Sequence, residues 1–124
     1  MLQVNLETAW WCSREAARRM TALGGGAIVN VGAVAGVKLA GGAAAYAVSK
    51  AALHALTKVL ADELMSAGVR VNAVAPGTND TPSNRAWMSA ADLTKAVSPG
   101  RVAEAIVRLC KASPFVTGDV VQVV

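Results

Sequence analysis

Apolar residues recur at helical spacing from the start of the chain. Leu2, Leu6, Ala9/Trp10, Ala16/Ala17, Met20 and Leu23 fall on one stripe, which predicts an amphipathic helix over residues 2–22. Gly24-Gly25-Gly26 ends it. The pattern then changes. Ala27-Ile28-Val29-Asn30-Val31 is a short apolar run, which predicts a strand over 27–31 buried on both faces, as parallel strands are. A glycine-rich loop follows to Gly42. Tyr46, Lys50, Leu53, Leu56, Leu60 and Leu64 mark a long helix over about 44–66, which stops at Gly68. Val69 to Ala75 reads as a second strand, broken by Pro76-Gly77, and a loop with a short helix covers about 78–96. Ser98 is a good N-cap, with Pro99 at the first helical position, for a helix to about Lys111. Thr117-Gly118 turns into a last strand, Val120 to Val124.

Strands alternating with helices imply right-handed crossovers and a parallel sheet. The expected fold is therefore α/β, with about three strands, flanking helices, and residues 27–31 at an exposed edge. The architecture reads as incomplete. Nothing but a helix precedes the first strand, and the sequence ends inside an apolar strand. Neither Gly-x-Gly-x-x-Gly nor Gly-x-x-x-x-Gly-Lys occurs. Gly24 to Gly26 is helix-stop chemistry, and Gly32 to Lys38 has the wrong spacing for a phosphate loop.

Composition narrows the function classes. The chain of 124 residues is 54% hydrophobic, 16% charged and 4% aromatic, so alanine and valine supply much of one core. The net charge of +4 is scattered, and the group Arg14, Arg18, Arg19 is interrupted by Glu15. With few aromatics for base stacking, this is a solvated helix face, and no nucleic-acid partner is expected. Cys12 and Cys110 lie far apart, without metal-ligand or disulfide spacing, and are read as free thiols in a reducing compartment. The longest uncharged stretch, Gly24 to Val37, is too short and glycine-rich to span a bilayer, and no signal peptide is seen. The cytoplasm is the expected location, with no membrane partner and no metal.

The chemistry centres on Tyr46-Ala47-Val48-Ser49-Lys50. Residues four apart share a helix face, so an ammonium can sit beside a phenol. A phenol titrates near pH ~10, and a neighbouring cation lowers that value, so such a tyrosine can exchange a proton with a carbonyl or alcohol. The same spacing also occurs by chance on surface helices. Around it, His54 reads as a surface or subunit-interface residue and Ser49 as helix filler. Of Trp10 and Trp11, one is expected in the core and the other at an interface. Asp80 reads either as a partner of Arg85 or as a loop cap.

Five motifs in register settle the context of the pair. Asn5 in Val4-Asn5-Leu6, the strand Ile28-Val29-Asn30-Val31, Tyr46-x-x-x-Lys50 followed by Ala51-Ala52-Leu53, Val69-Arg70-Val71-Asn72-Ala73-Val74-Ala75-Pro76-Gly77, and Phe115-Val116-Thr117-Gly118 together resemble the short-chain dehydrogenase/reductase family, over essentially the whole chain. The resemblance implies a doubly wound Rossmann-type sheet with nicotinamide over the carboxyl ends of the strands. Residues 1–124 would then be a single partial domain, the carboxyl-terminal half, lacking the amino-terminal dinucleotide-binding half. By position, Tyr46 is the general acid/base, Lys50 lowers its pKa and hydrogen-bonds the cofactor ribose, and Asn5 holds a water in a proton relay. Tyr46, Lys50, Pro76, Gly77, Asn79 and Thr81 are the implied cofactor contacts, although Asn79 replaces a usually aliphatic residue. The cofactor would be NAD or NADP, the selecting region being absent from the chain. The family's dimer interface implies a homo-oligomer through helices 2–22 and 44–66.

One departure bears on the substrate. The family's catalytic serine lies 13 residues before the tyrosine, where this chain has Ala33, preceded by Gly32. A substrate carbonyl loses one orienting hydrogen bond there, worth about 1 kcal/mol or more. Dihydropteridine reductases, a branch of the family, are similar in using alanine at that place and in the segment Thr78-Asn79-Asp80-Thr81-Pro82-Ser83-Asn84-Arg85-Ala86-Trp87-Met88. A quinonoid pterin accepts hydride into a conjugated ring and depends less on serine. The expected function is thus NAD(P)-dependent oxidoreduction of a small molecule, of dihydropteridine-reductase-like type. A generic reductase of other substrate, and a truncated, inactive remnant acting only as a helix-mediated interaction module, are the alternatives.

Overall fold

The computed structural model describes all 124 residues. Its sheet has three parallel strands, β1 (Gly26–Val31), β2 (Val69–Pro76) and β3 (Val120–Val123), in the spatial order β1-β2-β3. β1 pairs with β2 from Gly26 opposite Val69 to Val31 opposite Val74. β2 pairs with β3 from Ala73 opposite Val120 to Pro76 opposite Val123. β2, central and apolar on both faces, is almost wholly buried, whereas β1 lies at the sheet edge and is mostly half-buried. The edge position is the one expected. Both faces of β1 are packed, Ile28 against one core cluster and Val29 against the other, but as an edge strand it is only partly buried.

Helices cover both faces. α1 (Thr8–Ala22) and α3 (Ala44–Leu64) pack on one side, where Met20, Ile28, Leu60 and Leu64 gather around Ala61, Val69 and Val71. α6 (Pro99–Cys110) packs on the other, where Val74, Val97, Val102, Leu109 and Val123 form the second cluster. The alternation of β2 decides the assignment: Val69 and Val71 point to α3, and Val74 points to α6. The predicted cap is present, since Ser98 Oγ accepts from the Arg101 N–H at 3.3 Å, with Pro99 at the first helical position. At the other end of α6, the Arg70 guanidinium donates to the carbonyls of Leu109 and Cys110, both at 2.9 Å, which satisfies acceptors that a helix end leaves open.

Four stretches differ from the periodicity reading. The helix expected from residue 2 opens as a π-helical turn, Gln3–Glu7, before α1 begins. The glycine-rich loop contains a short helix, α2 (Val34–Lys38). Five residues are too few for a hydrophobic period to register. The segment after β2 holds two short helices, α4 (Pro82–Arg85) and α5 (Ala90–Lys95), where one was expected. α5 is fixed by a capping box: Ser89 Oγ accepts from the Asp92 N–H and the Asp92 carboxylate accepts from the Ser89 N–H. α3 ends in a 3-10 turn, Met65–Ala67, before Gly68. No helix is long and apolar enough to cross a membrane.

Only 24 of the 124 residues are buried, few for a chain that is 54% hydrophobic. Trp10 and Trp11 both remain exposed, so neither is a core residue of this chain. Both cysteines are free and exposed.

Candidate active site

A cleft of about 500 Å³ opens at the carboxyl ends of the strands. Ala33, Val34, Ala35, Tyr46, Pro76, Gly77, Thr78, Asn79, Asn84 and Trp87 line it. Parallel strands deliver their succeeding loops to this edge, which is why Ala33 after β1 and Pro76-Gly77 at the end of β2 meet there. α3 starts on the same side and supplies Tyr46 in its first turn.

Lys50 stands behind the tyrosine rather than in the cleft wall. Its ammonium lies 5.9 Å from the centroid of the Tyr46 ring and donates to the Val31 carbonyl at 2.9 Å. Burial pulls Lys50 below the ordinary lysine value. α2 can lie close over this part of α3 because residue 36 is glycine: a Cβ there would stand 2.7 Å from the Ala51 amide nitrogen and from the Lys50 carbonyl carbon.

Asn5 reaches the site indirectly. It sits in the π-helical turn, and its Nδ2 donates to Ser49 Oγ at 3.0 Å; Ser49 in turn donates to the Tyr46 carbonyl at 2.8 Å. π-turns are rare and often occur at functional sites, because the extra residue rotates a side chain out of the ordinary helical register. Ser49 is fully buried and joins the two helices, so it is not helix filler.

His54 also departs from expectation. It is buried rather than at the surface, and its Nε2 accepts from the Ala33 N–H at 3.3 Å. Spacing gave the available signal, since 46, 50 and 54 recur on one helix face. Among the remaining predicted residues, Pro76, Gly77 and Asn79 line the cleft, whereas Thr81 does not. Thr81 caps α4, its Oγ1 accepting from the Asn84 N–H at 3.2 Å. Asp80 and Arg85 form an ion pair, with Nη2 to Oδ2 at 2.8 Å, and the guanidinium lowers the Asp80 carboxyl below its ordinary value. Asn84 Nδ2 donates to the Asn79 carbonyl at 2.9 Å, bracing the far wall.

The family described as Enoyl-(Acyl carrier protein) reductase matches residues 1–123. Galactitol 2-dehydrogenase of Rhizobium johnstonii is 39% identical over 136 residues, covering 99% of this chain and 53% of the relative. Carbonyl reductase family member 4 of Danio rerio is 38% identical over 128 residues, with 99% and 53% coverage. Among solved structures, a short chain dehydrogenase/reductase family protein superposes with a TM-score of 0.90 at 34% identity, covering 99% of this chain and 54% of that one. The protein belongs to the short-chain dehydrogenase/reductase family. Its α/β fold is that of the family's Rossmann-type structures, and its relatives are oxidoreductases by name. The chain spans about half the length of the curated relatives it matches.

This family's nicotinamide dinucleotide can be tested against the polar groups left open at the cleft. The Asn79 backbone N–H makes no hydrogen bond within the chain, and Asn79 Oδ1 is buried without a partner. A carboxamide brings one acceptor and two donors. The residues present therefore fit the nicotinamide end of such a cofactor.

Proposed function

We propose that this chain supplies the proton-transfer half of an NAD(P)-dependent oxidoreductase, with Tyr46 as general acid/base. The observation that carries this reading is the cleft itself, where Tyr46 faces the Ala33 and Pro76-Gly77 walls with the Lys50 ammonium 5.9 Å from its ring. When bound, a nicotinamide supplies or accepts the hydride. Tyr46 gives a proton to the acceptor atom, or removes it from an alcohol in the reverse direction. Pro76, Gly77 and Asn79 hold the nicotinamide side of the cleft, Lys50 the ribose, and Thr81 acts through α4, which it caps. Asn5, coupled to the catalytic helix through Ser49, is assigned to the proton relay. A structure solved with NADP bound, that of ElxO, is 27% identical with a TM-score of 0.88, covering 95% of this chain and 52% of that one, and supports the cofactor class.

Ala33 favours a conjugated acceptor of the quinonoid dihydropteridine type over an isolated ketone. Its methyl supplies no donor at the wall where the family's serine would stand, and Gly32 supplies none either. The direct test is fluorescence titration of the chain with NADH and NADPH, followed by turnover with quinonoid dihydropterin and with simple ketones. Binding below millimolar cofactor, with Tyr46→Phe inactive, is the expected result. No binding at millimolar cofactor would defeat the reading.

A second reading has its own observation. Trp10, Arg14, Leu56, Val59, Leu60, Glu63 and Leu64 line an apolar groove between α1 and α3, and Trp10 and Val59 are 53% and 54% exposed. This surface supports homo-dimerisation through residues 2–22 and 44–66, and pairing would remain available to a chain without activity. Sedimentation velocity tests it: twice the 12.6 kDa of one chain is expected, and a well-behaved monomer would rule the reading out.

A further inference from the structure

We infer that His54 is a positioning residue, holding the Gly32–Ala33 wall of the Tyr46 cleft in place as a hydrogen-bond acceptor. The inference rests on the proposed role of that cleft. The contact itself does not.

Three observations converge. His54 is buried, and its Nε2 receives the Ala33 N–H at 3.3 Å. The ring lies so close to the preceding residue that a Cβ at position 32 would stand 1.9 Å from Nε2, so any side chain there would displace the imidazole. Ala33 is the extended residue at which β1 gives way to α2, with φ −162° and ψ 150°, and it has no side-chain cap of its own. Its amide nitrogen is therefore tied down from outside, by α3.

The arrangement makes a two-point clamp. Tyr46, Lys50 and His54 occupy successive turns of one helix face. Lys50 donates to the Val31 carbonyl, while His54 accepts from the Ala33 amide two residues further on. The helix that carries the proton donor thus grips the carboxyl end of β1 with one donor and one acceptor. Displacing the ring would free the Ala33 wall and change the width of the cleft facing Tyr46.

An acceptor at Nε2 requires a neutral ring whose proton is on Nδ1, because both nitrogens of an imidazolium are donors. The environment favours neutrality. Burial lowers the His54 pKa, and the charges of Lys50 and Lys58 on the same helix lower it further, against an opposing hydrogen bond with the Gly36 backbone. β1 carries no charged residue, α2 carries only Lys38 at its end, and β2 only Arg70, which is held by the carbonyls at the end of α6.

The test compares His54→Gln, whose Oε1 can replace the Nε2 acceptor, with His54→Leu, which fills the space without one, and with Gly32→Ala. The first readout is amide hydrogen exchange and chemical shift at Ala33 by NMR, which needs no catalysis. Exchange at Ala33 should quicken roughly tenfold or more in His54→Leu and Gly32→Ala, as for loss of one hydrogen bond, and return towards wild type in His54→Gln. In the wild type the Ala33 amide shift should follow protonation of His54. The second readout is turnover, where His54→Leu should lower kcat roughly tenfold while cofactor affinity holds within about twofold. An unchanged Ala33 amide in folded His54→Leu would overturn the inference, as would an unchanged kcat. Should His54→Leu not fold, the wild-type titration and His54→Gln still decide it. Wild-type chain that shows the Ala33 behaviour but no turnover would sink the proposed reaction while leaving the contact intact.

Discussion

The Lys50 ammonium donates a 2.9 Å hydrogen bond to the Val31 carbonyl, joining the second turn of α3 to the last residue of β1. A lysine placed only for a cofactor would not need this anchor. Its loss should therefore be felt in both structure and chemistry. Tyr46→Phe keeps the ring and removes the proton, so kcat should fall about 10²–10⁴-fold, the usual worth of a general acid, while cofactor affinity falls less than in a lysine variant. Lys50→Met should lose turnover to a similar degree and also weaken NADH binding and lower Tm. Steady-state kinetics with parallel fluorescence titration separates the two. Equal behaviour of the two variants in cofactor binding would contradict the assignment of Lys50.

Ala33 predicts a change of preference rather than a loss. The residue is buried, with its methyl at the cleft wall shared with Tyr46. Ala33→Ser adds one hydroxyl at the place where a carbonyl oxygen would lie. One added hydrogen bond of about 1.4 kcal/mol is worth tenfold. The ratio of kcat/KM for a simple ketone over a quinonoid dihydropterin should therefore rise by roughly that factor. A ratio that stays flat or falls would argue against Ala33 as a determinant of the acceptor.

Much of this site could be read from the residues, because its parts are local. Tyr46 and Lys50 need only a helix, and Pro76-Gly77 only a strand that stops; in the fold around it, Ser98-Pro99 needs only a helix start. What could not be read depends on how distant elements meet. His54 and Ser49 lie on a helix whose faces all carry apolar residues, so periodicity alone could not say which of them would be buried. The π-helical turn that carries Asn5 leaves no mark on a hydrophobic stripe, because it shifts the register by a single residue. Trp10 and Trp11 show the opposite failure. Neighbours on a helix point to different faces, which predicts one in the core and the other at an interface, but no part of this chain covers either.

Asn72, one residue of the β2 motif, carries a stability prediction. The residue is 1% exposed in the centre of β2. Its Nδ2 donates to the Val116 carbonyl at 2.9 Å and its Oδ1 accepts from the Asp119 N–H at 3.0 Å, so one side chain holds the turn that feeds β3. Asn72→Leu preserves bulk but strands the Asp119 N–H and leaves the Val116 carbonyl only a long bond from Arg70 Nη1, at 3.4 Å. Leaving a buried group unpaired costs about 1–3 kcal/mol, so a loss of about 2 kcal/mol or more is expected in urea unfolding. Asn72→Asp keeps the acceptor for Asp119 and opposes the Val116 carbonyl with negative charge, and should be no better. Near-wild-type stability in Asn72→Leu would mean that water reaches the turn.

His54 also sets a dependence of stability on pH, and the sign follows from its environment. Burial and the Lys50 and Lys58 charges lower its folded pKa below the ordinary value of 6.5. Above 6.5 the ring is neutral in both folded and unfolded chains and contributes no slope. As pH falls through 6.5, the unfolded chain takes up a proton that the folded chain refuses, so stability declines until the lowered folded pKa is reached. The native acceptor bond to Ala33 is then lost as well. Urea midpoints measured downward from pH 7.5 should fall across this window in the wild type, beyond any decline shared with His54→Gln, which carries no titrating group at this position. Asp80 and Asp92 are held below their ordinary values by Arg85 and by Ser89, so their contributions are lost only at more acidic pH. A wild-type curve parallel to that of His54→Gln between pH 7.5 and 5.5 would show that the imidazole is not held neutral against the β1 wall.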